Sequence, residues 1–182
     1  DGKNVYFFSN SVFGKKRLWV ASGNPENAME LFATTEGASN VESQLILAES
    51  GVVFSGAASS NDSELWFSDG TLAGTTKLAD RLAGVSGNPV EFVRIGDVAY
   101  FSAWDGLWKT DGTTEGTVRV KALTMAAQVP MRLSSGYSAA MNGILYFVAS
   151  GTGQGNYQLW RSDGTEAGTY AVKTINPTGN AF

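Results

Sequence analysis

The sequence predicts an all-β fold made of one antiparallel unit repeated four times, and three observations carry the prediction. The first is a recurring phrase. Leu65-Trp66-Phe67-Ser68-Asp69-Gly70-Thr71 returns as Leu107-Trp108-Lys109-Thr110-Asp111-Gly112-Thr113 and as Leu159-Trp160-Arg161-Ser162-Asp163-Gly164-Thr165. Each copy continues to a second Gly-Thr pair, Gly74-Thr75, Gly116-Thr117 and Gly168-Thr169. A worn fourth copy lies upstream, where Trp19 and Gly23 survive but Ser22 stands for the Asp. A period of roughly 40–50 residues is that of a four-stranded unit repeated around an axis or along a line. The second observation is the set of short, aromatic and β-branched runs between the phrases, which read as strands. The third is composition: 22 Gly and 4 Pro among 182 residues suit many tight turns. No stretch sustains an apolar 3.6-residue period with caps, so almost no helix is expected.

The elements follow in order. In the first unit, Val5-Tyr6-Phe7-Phe8 is a buried strand, Leu18 and Trp19 mark the next, and Met29-Glu30-Leu31-Phe32 follows the Gly23-Asn24-Pro25 turn. The second unit is complete, with Gln44-Leu45-Ile46-Leu47, Val52-Val53-Phe54-Ser55, Glu64-Leu65-Trp66-Phe67 and Thr76-Lys77-Leu78-Ala79. In the third, Val90 to Ile95 alternates, Gly96-Asp97 turns the chain, and Val98 to Phe101 returns to Leu107-Trp108 and Val118 to Lys121. The fourth starts weakly across 131–139. Its Asn142-Gly143 is the strongest hairpin signal, because a type I′ turn needs positive φ at both positions. Ile144 to Phe147, Gln158 to Trp160 and Tyr170 to Ile175 complete it. In register, Asp1-Gly2 falls where Gly96-Asp97 and Asn142-Gly143 fall, so the first strand of unit one is missing. The tail 176–182 supplies that strand, or the segment belongs to a longer array. The repeats span 1–35, 36–82, 83–125 and 126–177, with a tail at 178–182. Such units build a β-propeller or partial propeller of four four-stranded antiparallel repeats. A half-ring that pairs with a second copy, or continues in a longer chain, is the alternative architecture.

Composition limits function. Thirteen basic against 17 acidic residues give a net charge of −4, which argues against nucleic acid. His and Cys are absent, which removes imidazole bases, thiol catalysis, disulfides and the usual zinc sites. No run of about 18 apolar residues exists, so no membrane-spanning helix is expected.

Three Asp-Gly-Thr turns invite a calcium or catalytic reading of Asp69, Asp111 and Asp163. The architectural reading is preferred: Asp before Gly accepts backbone N–H bonds, Gly supplies positive φ, and Thr ties down the loop. Replication in three units points the same way. Trp19, Trp66, Trp108 and Trp160 are read as packing between units. No cofactor is expected; weak calcium binding at the three Asp is the minor alternative. The variable loops are better binding candidates than the shared phrase. These are 9–16, 56–63, 102–106 and 149–156, together with the connections near 34–40, 81–89 and 124–130. Trp104, the one Trp outside the phrase, and Asp105 beside it lead this set as a sugar-stacking or partner-anchoring pair. Asn61, Asp62, Asn156 and Tyr157 are further ligand-binding candidates.

From Glu64 to Thr75 and from Gln158 to Thr169 the chain resembles the bacterial ELWxxDGT repeat. Ile144-Leu145-Tyr146-Phe147-Val148-Ala149 is similar to that family's preceding strand, and Tyr170 to Pro177 to its trailing strand. The likeness covers nearly the whole chain and is degraded in unit one. It implies large, secreted or surface-attached bacterial proteins built as propeller-like arrays, and no catalytic residue to transfer. The expected function is a non-catalytic extracellular binding or adhesion module that recognises glycan or surface protein through the variable loops. The alternatives are a structural or self-assembling subunit of a bacterial surface layer or filament, and a glycosidase with paired carboxylates. Self-association, or continuation in a longer chain, is the further partnership expected.

Overall fold

The computed structural model describes residues 2–10, 16–33, 44–59, 62–79, 87–103, 105–123, 131–133, 136–150 and 157–173. Among these the fold is all-β, with four antiparallel sheets in chain order and one short 3-10 turn at Pro25–Asn27. Sheet 1 holds β1 (Asn4–Asn10), β2 (Lys16–Ser22) and β3 (Met29–Ala33). Sheet 2 holds β4 (Leu45–Leu47), β5 (Val52–Ser59), β6 (Asp62–Ser68) and β7 (Thr75–Ala79). Sheet 3 holds β8 (Val90–Ile95), β9 (Val98–Ala103), β10 (Gly106–Thr110) and β11 (Val118–Ala122). Sheet 4 holds β12 (Met131–Arg132), β13 (Ser138–Met141), β14 (Ile144–Ser150), β15 (Tyr157–Ser162) and β16 (Tyr170–Lys173).

The expected four strands per unit hold in sheets 2 and 3 and change at the two ends. Sheet 1 has three described strands. In sheet 4 the outer strand is split: β12 pairs with Val148 and Ala149, while β13 pairs with Ile144 to Phe147. Both pieces lie on one edge of β14, because β15 takes the other. The weak sequence pattern across 131–139 is this interruption. The Asn142-Gly143 hairpin has φ of 53° and 77°, the left-handed pair that a two-residue turn of this twist requires.

One irregularity recurs in every sheet. After each Leu-Trp pair the register of the next strand slips by one residue, at Leu18/Trp19, Leu65/Trp66, Leu107/Trp108 and Leu159/Trp160. The residue left unpaired is Leu31, Leu78, Val120 or Val172. A bulge of this kind bends and twists the strand. It also aims an apolar side chain off the sheet.

Consecutive sheets pack face to face through three cores. Tyr6, Phe8, Leu18, Val20 and Leu31 of sheet 1 meet Leu45, Leu47, Val52, Phe54 and Trp66 of sheet 2. Val53, Leu65, Phe67 and Leu78 of sheet 2 meet Phe92, Phe101 and Trp108 of sheet 3. Tyr100, Leu107 and Val120 of sheet 3 meet Leu145, Phe147, Ala149 and Trp160 of sheet 4. Each sheet therefore has a front, toward the preceding sheet, and a back, toward the following one. Period-2 alternation sends successive residues of each strand to these two faces. Among the described residues no apolar cluster joins sheet 4 to sheet 1.

Candidate functional site

The most ordered polar chemistry lies in the three Asp-Gly-Thr turns, and its geometry repeats to within a tenth of an ångström or so. Asp69 Oδ1 accepts the Thr71 N–H at 2.8 Å and the Thr71 hydroxyl at 2.7 Å. Asp111 does the same with Thr113 at 2.8 and 2.8 Å, and Asp163 with Thr165 at 2.9 and 2.7 Å. The Thr hydroxyl in turn accepts the N–H of Gly74, Gly116 or Gly168 at 2.9 Å. Beneath the turn a second hydroxyl pair closes the strand ends: Ser68 with Thr75, Thr110 with Thr117, and Ser162 with Thr169, each at 2.7 Å. The Thr bonds hold all three Asp carboxyls below their ordinary pKa, the Thr hydroxyl contributing most and the Thr N–H next. A carboxylate that accepts donors of its own turn in this way is part of the fold.

The second repeated constellation is aromatic. Each Trp faces a Phe across the strand pair: Phe7–Trp19, Phe54–Trp66, Phe101–Trp108 and Phe147–Trp160, with ring centroids 6.5, 6.4, 6.3 and 6.3 Å apart. These pairs form the front of every sheet. Trp19 donates its indole N–H to Ser9 Oγ, Trp66 to the Gly56 carbonyl and Trp108 to Asp105 Oδ1.

The third constellation joins neighbouring sheets. One ring of each sheet covers the turn glycine of the next. A Cβ at Gly70 would lie 2.9 Å from the Tyr6 hydroxyl, one at Gly112 would lie 3.1 Å from the Phe67 ring, and one at Gly164 would lie 2.6 Å from the Tyr100 hydroxyl. Lys109 adds a bond from its ammonium to the Gly164 carbonyl at 2.9 Å. Burial raises the pKa of the Tyr6 and Tyr100 hydroxyls, and the charge of the neighbouring turn's Asp69 or Asp163 raises it further.

The sequence-predicted ligand residues do not come together as a described site. Trp104, Asn61 and Asn156 lie outside the described residues. Asp62 and Tyr157 pair through their backbones with Ser59 and Ser150, and their side chains also lie outside what is described. Asp105 is half-buried and occupied: besides the Trp108 bond, its Oδ2 accepts Arg119 at 2.6 Å. Its carboxylate ties a hairpin together.

Sequence reasoning missed two acidic residues that link sheets. Glu91 carries a left-handed φ of 57° at a bulge in β8, between Val90 and Val93. Gln44 Oε1 accepts its N–H at 2.7 Å, and its own carboxylate accepts the Leu133 N–H at 2.6 Å. One bulge thus ties sheets 2, 3 and 4. Glu64 is buried and accepts the Gly87 N–H at 3.1 Å. The alternating pattern around Glu91 concealed the bulge, and nothing local marks it. Among the described residues no group of three or more Asp or Glu could hold a metal ion. No described helix is long and apolar enough to cross a membrane.

No protein-family model matches the chain, and no curated protein matches it. Solved structures do. A puromycin hydrolase is similar over 98% of this chain and 28% of its own, with a TM-score of 0.59 and 14% identity. An α-L-arabinofuranosidase from Clostridium thermocellum aligns over 96% of this chain and 74% of its own, with a TM-score of 0.34 and 16% identity. A glycoside hydrolase aligns over 96% and 46%, with a TM-score of 0.37 and 10% identity. The first shares the fold, and the chain spans little more than a quarter of its length. The structure that shares the fold is that of a hydrolase. That finding corrects the expectation of a non-catalytic extracellular binding or adhesion module: the neighbour that shares this fold is a hydrolase. Likeness at this identity transfers fold and no activity.

Proposed function

We propose that the chain is a partial β-propeller, an open array of four blades, and that its role is architectural. It supplies blades to a larger hydrolase-type assembly and contributes no catalytic groups of its own. One observation carries the reading. The front of sheet 1 and the back of sheet 4 have the same residue pattern as the interior faces, yet Val5 and Phe7 on the first and Tyr170 and Val172 on the second are exposed. Phe7 is 40% exposed, whereas its counterparts Phe54 and Phe147 are fully buried. Such faces call for further blades.

Two points support the architectural role. The puromycin hydrolase shares this fold over only 28% of its length, so there the array is a part and not the whole. Six of the described carboxylates also serve the fold: Asp69, Asp111 and Asp163 hold turns, Asp105 holds Trp108 and Arg119, and Glu64 and Glu91 cap neighbouring backbone. A glycosidase needs two carboxyl groups that face a substrate, about 5–9.5 Å apart. The test is to incubate the purified chain with an aminoacyl-amide substrate of the puromycin type and with an aryl arabinofuranoside. No turnover above buffer is expected. Saturable turnover of either substrate would show that the chain carries its own active site and would overturn the proposal.

A further inference from the structure

The two open faces are the two halves of one interface that the chain builds three times. On the front of sheet 1, Val5 is 64% and Phe7 40% exposed, where Val52, Phe54, Ala99, Phe101, Leu145 and Phe147 are all at or below 3%. On the back of sheet 4, the bulge residue Val172 is 44% exposed, where Leu31, Leu78 and Val120 are at or below 6%. Equivalent positions are buried wherever a neighbouring sheet exists.

The polar part of the interface is also laid out at both ends. The ring and cation that sheet 3 applies to the next turn come from one cross-strand pair, Tyr100 opposite Lys109. The corresponding pair in sheet 4 is Tyr146 opposite Arg161, again a tyrosine and a cation. Among the described residues the buried Arg161 Nε has no hydrogen-bond partner, and one terminal nitrogen reaches the Tyr170 hydroxyl at only 3.3 Å. At the other end, Gly23 is the turn glycine of sheet 1, with φ of 66° like its counterparts in the left-handed region. Among the described residues a Cβ there meets nothing within 4 Å, whereas those at Gly70, Gly112 and Gly164 meet the ring of the preceding sheet. The back of sheet 4 offers what Gly23 lacks.

From this we infer that the chain self-associates head to tail: the back of sheet 4 docks on the front of sheet 1 of a second copy. Tyr146 covers Gly23, Arg161 donates to the turn carbonyl as Lys109 does, and Val172 and Leu159 pack on Phe7 and Trp19. A contact between unlike faces closes into a ring when the rotation permits, and two four-blade arrays then complete one propeller. The inference rests on the blade-array reading above and names the partner of its open faces.

Light scattering on the purified chain tests it. The expected result is a mass that rises above the 19.2 kDa monomer with concentration and settles at a multiple of it. Phe7→Glu blocks the front and Val172→Asp blocks the back. Both side chains are exposed, so each variant keeps the wild-type circular dichroism. Each variant alone is monomeric, because its one intact face has no unlike partner. An equimolar mixture forms a 1:1 heterodimer through the remaining front and back. If Phe7→Glu fails to fold, Val5→Glu takes its place at the more exposed position. A wild-type chain that stays monomeric at its highest soluble concentration overturns the inference. So does dimerisation of either variant alone, which would mean that like faces pair. A monomeric chain without hydrolase turnover sinks the inference and leaves the architectural reading intact, whereas turnover sinks that reading whatever the mass.

Discussion

Replacing Gly116 with Ala tests whether the second glycine of the repeated phrase exists to make room for a carboxylate. Gly116 does not adopt a left-handed φ, so an alanine there is acceptable to the backbone. Its Cβ, however, would stand 2.1 Å from Asp111 Oδ1 and 2.2 Å from Oδ2. Ordinary contact is about 3.4–4 Å, so the carboxylate must swing away by more than an ångström. It then loses the Thr113 N–H and hydroxyl bonds, both at 2.8 Å. For a solvent-exposed carboxylate each bond is worth about 0.5–1 kcal/mol net. The expected cost is about 1–2 kcal/mol, which at about 2–4 °C per kcal/mol lowers the melting temperature by about 2–8 °C. The decisive comparison is the same substitution in an Asp111→Ala background. There the Cβ meets no carboxylate, and Ala stabilises by about 0.4–1 kcal/mol through the unfolded chain. Thermal unfolding of the four chains, followed by circular dichroism, gives a coupling energy of about 1.5–3 kcal/mol. An equal cost in both backgrounds would refute the reasoning.

Interior and end blades should respond differently to the same truncation: Phe54→Ala, fully buried against Phe8, Phe32 and Trp66, costs about 3–5 kcal/mol in denaturant unfolding. Phe7→Ala at the exposed front costs under about 1.5 kcal/mol under conditions where the chain is monomeric, and equal costs would contradict the assignment of interior and open faces. Asp105→Ala leaves the Trp108 indole and Arg119 without their carboxylate and lowers stability by about 1–3 kcal/mol, read from the urea midpoint. Acid should weaken the three turns. Their Asp carboxyls lie below the ordinary value in the fold, so their contribution is complete above the unfolded value of about 3.9 and is lost as pH falls through the lowered folded values. The urea midpoint is then flat from pH 7 to about 5 and falls below about pH 4; Thr113→Val makes that fall shallower, and an unchanged slope would exclude the Thr–Asp bonds as its cause.

What the sequence disclosed depends on whether its signal was local. The strand runs, the Asn142-Gly143 turn and the Trp positions are local, and the structure places strands and turn where the pattern does. Among the described residues sheet 1 has three strands, the number that register alone gives for unit one. Less visible were features that need a partner. The bulge after each Leu-Trp pair depends on how two strands slide, and the turn of Glu91 into positive φ depends on Gln44, 47 residues earlier. Asp105 looked like a ligand residue because an acid beside a Trp does; only the fold brings Arg119 and the Trp108 indole to it. The hydroxyl pair beneath each turn also has a local signature in the sequence. Ser68/Thr75, Thr110/Thr117 and Ser162/Thr169 occur together, and in unit one both members become alanine, Ala21 and Ala28. A pair retained or lost as a unit is the mark of two groups bonded to each other.

The same reasoning explains why the phrase wears away in unit one and nowhere else. In units two to four the turn glycine answers to two demands. Its φ of 93°, 99° or 86° disfavours any Cβ, and the space a Cβ would take is already filled by Tyr6, Phe67 or Tyr100 of the preceding sheet. The turn is therefore held from within by Asp and Thr and from outside by a neighbour's ring, and a change in Asp or Thr would shift the surface on which that ring rests. Gly23 faces no such ring among the described residues. With the outer demand removed, the inner one relaxes: Ser22 and Asn24 replace Asp and Thr, and the 3-10 turn at Pro25–Asn27 closes the hairpin with Asn24 accepting the N–H groups of Glu26 and Asn27. On this view the Asp-Gly-Thr phrase is less a property of a blade than of the seam between two blades, and its spelling reports how firmly each blade is clasped by the one before it.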